Sequence, residues 1–201
     1  MAIKAIIFDI DGVLADSRQA VVENTKQLLA EFGFSAKHSE VEKMSSAHSA
    51  ESVLIALLPQ LKNEDALLRR MLARLSKITV ANLHLVKPTP LAALLPDLKR
   101  KYLLAAASNR KSSAMMVLEK LGIEKEFAVV MTSSDAPPKP DPKMILLALE
   151  RLNVNADEAV FVGDNDEDVE AGRRAGVRTI KIDGTDEDEC LLFLSDFLPA
   201  C

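Results

Sequence analysis

Asp9 and Asp11 stand two residues apart at the end of an apolar run, Ile3, Ala5, Ile6, Ile7 and Phe8, and Gly12 follows them. Carboxylates this close repel each other. Either a cation between them or a proton on one of them resolves the repulsion. Both arrangements suit phosphoryl transfer. One carboxylate can attack phosphorus and become an acyl phosphate. The other can protonate the leaving oxygen and later take a proton from water. A bound Mg²⁺ would offset the charge of phosphate and carboxylates together. Further along the chain Ser108 and Asn109 end another apolar run, Lys139 sits among prolines, and Asp164 and Asp168 follow Ala159-Val160-Phe161-Val162. A hydroxyl and neighbouring backbone N–H groups at a strand-to-helix turn can hold phosphate oxygens. A lysine supplies a compact positive charge beside carboxylate and phosphate.

The runs that carry these residues are short, β-branched or aromatic, as in strands buried on both faces of a parallel sheet. Residues two apart in a strand point the same way. Asp9 and Asp11 should therefore emerge together at the carboxyl end of the first strand, where open α/β sheets place their ligands. Gly12 lets the chain turn sharply and approach what the acids hold. Further strands are expected at 102–107, 127–131, 159–162 and 178–182, alternating with helices, a pattern that predicts an α/β class. Leu91–Leu98 reads as one short helix. Pro137-Pro138-Lys139-Pro140 is too constrained for a helix and presents Lys139 from a rigid loop. Asp141 should cap the next helix with Pro142 in its first position. Acidic residues 183–189 lead to a last helix with Leu191, Leu192, Leu194 and Leu198.

Between the first strand and the next lie about 70 residues of helical pattern, too long for a simple crossover. Val21, Thr25, Leu28, Leu29 and Phe32 recur at helical spacing and Gly33 can end that helix. A second helix fits Ala50 to Leu58, stopped by Pro59, and a third runs from about Asp65 to Ala81. Lys43 to Ser49 reads as a polar loop between helices.

The net charge of −5 and the lack of a basic face argue against a nucleic-acid binder. No apolar run approaches a membrane span, and the chain enters its first strand directly, without a signal peptide. Cys190 and Cys201, without metal spacing, read as free thiols in a reducing cytoplasm. The glycines form neither GxGxxG nor GxxxxGK, so the dinucleotide and P-loop fingerprints are missing.

Asp9-Ile10-Asp11-Gly12-Val13-Leu14, Ser108-Asn109, Lys139-Pro140 and Gly163-Asp164-x-x-x-Asp168 together resemble the four motifs of the haloacid dehalogenase-like (HAD) hydrolases, in the family's order. The resemblance implies a Rossmann-like parallel five-stranded sheet in the order 5-4-1-2-3, with helices on both faces. It implies a catalytic core of residues 1–15 and 86–201, with a small all-helical cap of residues 16–85 inserted after the first strand. It assigns Asp9 as nucleophile and Asp11 as general acid and base. Mg²⁺ falls to Asp9, Asp164 and the Asp11 carbonyl, and phosphate binding to Gly12, Ser108, Asn109 and Lys139. Asp168 is expected to hold metal-bound water or to orient Lys139. In the cap, Ser45, Ser46 and His48 are candidate substrate contacts. The implied reaction is Mg-dependent hydrolysis of a small phosphate ester, phosphoglycolate-type or a sugar phosphate, by a cytoplasmic monomer or homodimer with neither nucleic acid nor membrane as partner. The alternatives are a phosphosugar mutase and a non-catalytic phosphate-binding protein. Val21 stands where the family's sugar-phosphate mutases usually carry a histidine, which favours a hydrolase. Asp11 disfavours a dehalogenase, whose branch lacks that acid.

Overall fold

The computed structural model describes residues 2–45, 50–111, 113–186, 188–190 and 192–193. Ser46 and His48, the side chain of Ser45, and Leu191, Leu194 and Leu198 of the expected last helix lie outside the described residues, as does Cys201. The chain divides into two compact units, residues 1–16 with 87–201, and residues 17–86.

The first unit is built on five parallel strands: β1 (Ala5–Phe8), β4 (Leu103–Ser108), β5 (Val129–Thr132), β6 (Ala159–Gly163) and β7 (Arg178–Lys181). They lie in the order β5-β4-β1-β6-β7. Counted among themselves in chain order this is 3-2-1-4-5, which from the other edge reads 5-4-1-2-3. The labels differ because two further strands intervene, β2 (Ala15–Asp16) and β3 (Lys87–Pro88), which the sequence pattern does not announce. These pair with each other, antiparallel, as a two-residue ribbon where the chain leaves and re-enters this unit. Pro88 is tolerated there because a ribbon this short needs few backbone donors.

β1 is central and buried along its whole length. Alternate residues face opposite sides of the sheet. Ala5 and Ile7 join Ala105, Ala107, Met131, Ala159 and Phe161 in one core. That face is covered by α7 (Lys143–Leu152) and α8 (Asp166–Ala175), which supply Met144, Ile145, Ala148, Ala171 and Ala175. Phe8, of opposite phase, meets Phe193 edge-on at 6.3 Å. Because β1 pairs with a neighbour on each side, its end delivers Asp9 between the ends of β4 and β6. The Asp9 N–H donates to the Val162 carbonyl at 2.8 Å, so the ladder still fixes this residue.

The expected single helix over 91–98 is instead a 3₁₀ turn, Pro90–Leu94, followed by α5 (Leu95–Lys99). Pro96 lacks the N–H that a continuous helix would need, so the chain restarts its helix around the proline. A further helix, α6, spans Ser113–Leu121. α7 begins one residue later than expected. Pro142 lies just outside it, and the Asp141 carboxylate accepts from the Lys143 N–H at 2.9 Å.

The second unit is helical: α1 (Arg18–Glu31), α2 (His38–Ser45), α3 (Ala50–Leu57) and α4 (Asp65–Ala81). Its own core gathers Leu28, Leu29, Leu54, Leu61, Met71 and Ile78. Of the expected loop from Lys43 to Ser49, Lys43, Met44 and Ser45 belong to α2. Among the described side chains of α2, Val41 alone is fully buried, and the Glu40 side chain accepts from the Lys37 N–H at the helix start. One buried residue among polar neighbours is too weak a periodic signal to read as a helix. Among the described residues no helix is long and apolar enough to cross a membrane.

Candidate active site

The carboxyl ends of β1, β4 and β6 bring together residues that are far apart in sequence. Asp9 directly follows β1, Ser108 closes β4, and Gly163 closes β6 just before Asp164. Asp9 is 4% exposed, Ser108 1%, Lys139 4% and Asp168 0%. Polar groups are withdrawn from water this far only when they are paired or hold a ligand.

Gly12 adopts φ +78, a left-handed conformation that costs glycine little. Its N–H donates to the Ala15 carbonyl at 2.9 Å, and its carbonyl accepts from Gly184 at 2.8 Å. A Cβ here would overlap Asp164 Oδ2. The turn after β1 thus lies directly against the acid after β6, and only glycine permits that approach.

Asp164 and Asp168 are positioned by the start of α8. Asn165 is its N-cap. The Asn165 side chain accepts from the Asp168 N–H at 3.0 Å, and Asp168 Oδ2 accepts in return from Asn165 N–H at 3.4 Å. The same Oδ2 accepts from Asp164 N–H at 3.1 Å. This reciprocal cap holds both ends of the acidic turn. It leaves Asp168 Oδ1 directed at Lys139, 2.6 Å from Nζ.

Lys139 lies between two carboxylates, with Asp9 Oδ1 at 2.7 Å on its other side. Its Nζ also stands 5.3 Å from the centroid of the Phe161 ring, a favourable place for a cation. Burial opposes its charge, but Asp9 and Asp168 overcome that and hold the ammonium above its ordinary range. Burial pushes the Asp9 carboxyl well up. Lys139 works against this shift, while Asp168 and Asp11 add to it. Asp164 is pushed up to about 6, first by burial and then by Asp168.

Asn109, expected as a phosphate ligand, directs its amide at the Lys139 loop. Its Oδ1 accepts from the Lys139 N–H at 2.7 Å and its Nδ2 donates to the Lys139 carbonyl at 3.1 Å. The side chain clamps the lysine loop to the end of β4 and so places Lys139. Ser108 Oγ accepts from Arg110 N–H at 3.2 Å.

Arg110 is absent from the sequence-derived site. Its Nε and Nη2 donate to Asp11 Oδ2 and Oδ1, both at 2.7 Å, in a two-pronged ion pair. The guanidinium side chain is 12% exposed and that of Asp11 36%. Burial opposes the charge of Arg110, but Asp11, with Asp9 behind it, holds its pKa above the ordinary value. The only sequence clue is a basic residue two positions after Ser108, and nothing in that spacing points to Asp11.

Asp9, Asp164 and Asp168 each offer a carboxylate oxygen within 4.8 Å of the others. Asp9, Asp11, Asp164 and Asp168 face the cations of Lys139 and Arg110, so the acids outnumber the bases two to one. A hard divalent cation, which prefers oxygen ligands, fits this donor set and its charge. The close approach of the Gly12 turn to Asp164 supports the same fit.

An open parallel sheet with an acidic, lysine-bridged site at its carboxyl edge defines an α/β protein equipped for phosphoryl chemistry. Residues 6–182 match the haloacid dehalogenase-like hydrolases, and the chain belongs to that family. It is 28% identical over 188 residues to the N-acetylmuramic acid 6-phosphate phosphatase of Pseudomonas putida, covering 90% of this chain and 83% of that one. It is 27% identical over 191 residues to a phosphoglycolate phosphatase of Xanthomonas campestris, covering 88% of this chain and 81% of the relative. A solved structure from Lactobacillus plantarum shares the fold at a TM-score of 0.80 and 24% identity, covering 94% of this chain and 91% of that one.

Proposed function

We propose that the protein is a Mg²⁺-dependent phosphatase that hydrolyses a small phosphorylated metabolite, a sugar phosphate or a phosphoglycolate-type ester, through an aspartyl-phosphate on Asp9. The observation that carries this reading is the buried Asp9 carboxylate, 2.7 Å from Lys139 and beside Asp11 at the end of β1. The substrate class rests on the phosphatases that the chain resembles.

Asp9 attacks phosphorus while the bond from phosphorus to the leaving oxygen breaks. Asp11 gives that oxygen its proton. Water then attacks the acyl phosphate, Asp11 takes the water's proton, and inorganic phosphate leaves with Asp9 restored. Lys139 offsets the repulsion between Asp9 and the incoming phosphate. Asp168 and Asn109 hold Lys139 in place. Ser108 and the turn amides around Gly12 bind phosphate oxygens. Asp9, Asp164 and the Asp11 carbonyl would hold Mg²⁺, which when bound offsets negative charge on phosphate and carboxylates. The helical unit of residues 17–86 acts as the cap that selects the substrate. Val21, where mutases of the family usually have histidine, supports hydrolysis over phosphate return to a sugar.

The test is Mg²⁺-dependent phosphate release from a panel of sugar phosphates, phosphoglycolate, nucleotides, pyrophosphate and an aryl phosphate, with Asp9→Asn as control. Release that needs both Mg²⁺ and Asp9 is expected. Full activity in Asp9→Asn would overturn the assignment of the nucleophile. Isomerised sugar phosphate without released phosphate would identify a mutase.

A further inference from the structure

We propose that Arg110 is an anion ligand of the active site that Asp11 holds in reserve. In this exchange the guanidinium leaves the Asp11 carboxylate for the phosphate oxygens of the incoming ester, and Asp11 is released to act on the leaving group. The inference rests on the phosphatase reading above and deepens it.

Three observations carry it. First, the pair is two-pronged, with Nε and Nη2 each 2.7 Å from a different oxygen of Asp11. Each prong occupies a lone pair of a different Asp11 oxygen, so Asp11 must leave the fork to take a proton from solvent and carry it to the leaving group. Second, the Arg110 backbone is fixed and its side chain lies largely out of water. Its N–H donates to Ser108 Oγ at 3.2 Å, its carbonyl accepts from Ser133 N–H at 3.0 Å, and its side chain is 12% exposed. A guanidinium kept this far from water needs a replacement anion when its carboxylate leaves. Third, the replacement arrives with the substrate. Phosphate offers the same paired oxygens as a carboxylate, and the planar guanidinium engages either one in the same forked geometry. Ser108, expected to hold phosphate oxygens, accepts through Oγ from the Arg110 backbone N–H, so both residues belong to the one turn that leaves β4.

The exchange makes Asp11 and phosphate competitors for one cation. Inorganic phosphate is the probe, and its binding in the presence of Mg²⁺ is measured by titration calorimetry. The proteins are the parent, Asp11→Asn, Arg110→Ala and the double variant. Asparagine keeps the backbone carbonyl and removes the competing charge. Asp11→Asn should tighten phosphate binding ~10-fold in the presence of Arg110, and by less than ~3-fold in the Arg110→Ala background, the excess being the coupling between the two residues. Arg110→Lys, which keeps the charge but loses the fork, should show a gain smaller than the parent's, and it stands in if the alanine variant does not fold. An equal gain in both backgrounds would overturn the proposal, since Asp11 would then act on phosphate only by general repulsion. Parallel assays of ester hydrolysis separate the two claims. Hydrolysis by the parent without coupling sinks the role of Arg110 and leaves the phosphatase standing. Coupling in a protein that hydrolyses no ester keeps the anion site and sinks the phosphatase.

Discussion

Replacing Asp164 with asparagine is expected to make the metal-free protein more stable at neutral pH, although the residue belongs to the proposed catalytic centre. Burial, and then the neighbouring Asp168, push the Asp164 carboxyl up to about 6 from 3.8. The folded chain therefore binds this proton more tightly than the unfolded chain does. The cost of ionising Asp164 in the fold is absent below 3.8, grows through the interval and is complete above about 6. At about 1.4 kcal/mol per pH unit the full gap corresponds to about 3 kcal/mol. Asp164 is partly exposed, and solvent screening reduces this to about 1–2 kcal/mol. Asparagine removes the charge and keeps an oxygen for the bond that Asn165 Nδ2 now donates to Asp164 Oδ1 at 3.0 Å. In a chain of this size the gain should raise Tm by ~3–6 °C. The assay is urea and thermal unfolding in EDTA from pH 4 to pH 8, comparing parent and Asp164→Asn. The difference should be full at pH 8 and vanish near pH 4. Adding Mg²⁺ should reverse the order, because only the parent gains the stability that ligand binding confers on the folded state. A variant less stable than the parent in EDTA at pH 8, or a gap that persists at pH 4, would refute the reasoning.

Gly12→Ala should cost about 1–2 kcal/mol from the left-handed backbone alone. Because the added Cβ meets Asp164 Oδ2, it should also weaken the stabilisation by Mg²⁺ in thermal unfolding; undiminished metal stabilisation would contradict the packing described for this turn. Lys139→Met leaves Asp9 and Asp168 buried without their shared cation and should destabilise the fold by about 3–5 kcal/mol at pH 8. Part of that loss should return on acidification, as the raised Asp9 carboxyl takes up its proton, and urea unfolding across pH reads both effects. Asp11→Asn should slow phosphate release ~10²–10⁴-fold while leaving the unfolding transition cooperative. Turnover at the parental rate in a phosphate-release assay would remove Asp11 from the reaction.

The strands were legible because burial on both faces demands uninterrupted apolar residues, and the runs 5–8, 103–107 and 159–163 satisfy that demand. Asp9, Ser108 and Asp164 were legible for a related reason: a polar residue directly after such a run marks the edge of the sheet where the chain emerges. α2 was not legible, since among its described side chains Val41 alone is fully buried, amid charged and polar neighbours. The break at Pro96 was visible in the sequence but reads equally as a residue in the first turn of a longer helix. Asn109 was legible as a polar residue of the right turn, yet its partner is the main chain of Lys139, 30 residues away.

Arg110 and Asp11 are 99 positions apart, and no local pattern in either segment implies the other. Local spacing determines what each segment can become, because side-chain direction repeats with the strand and helix periods. It therefore placed the two aspartates on one strand end, the lysine in a stiff loop and the acids at a helix start. Which charge neutralises which is decided only when β4 and β6 pair with β1 and carry their loops to one edge. Lys139 is shared by Asp9 and Asp168, Asn109 fixes Lys139, and Arg110 clamps Asp11 because the parallel register brings these ends within hydrogen-bond reach. Electrostatic pairing depends on distance through space, and the tertiary structure alone sets that distance.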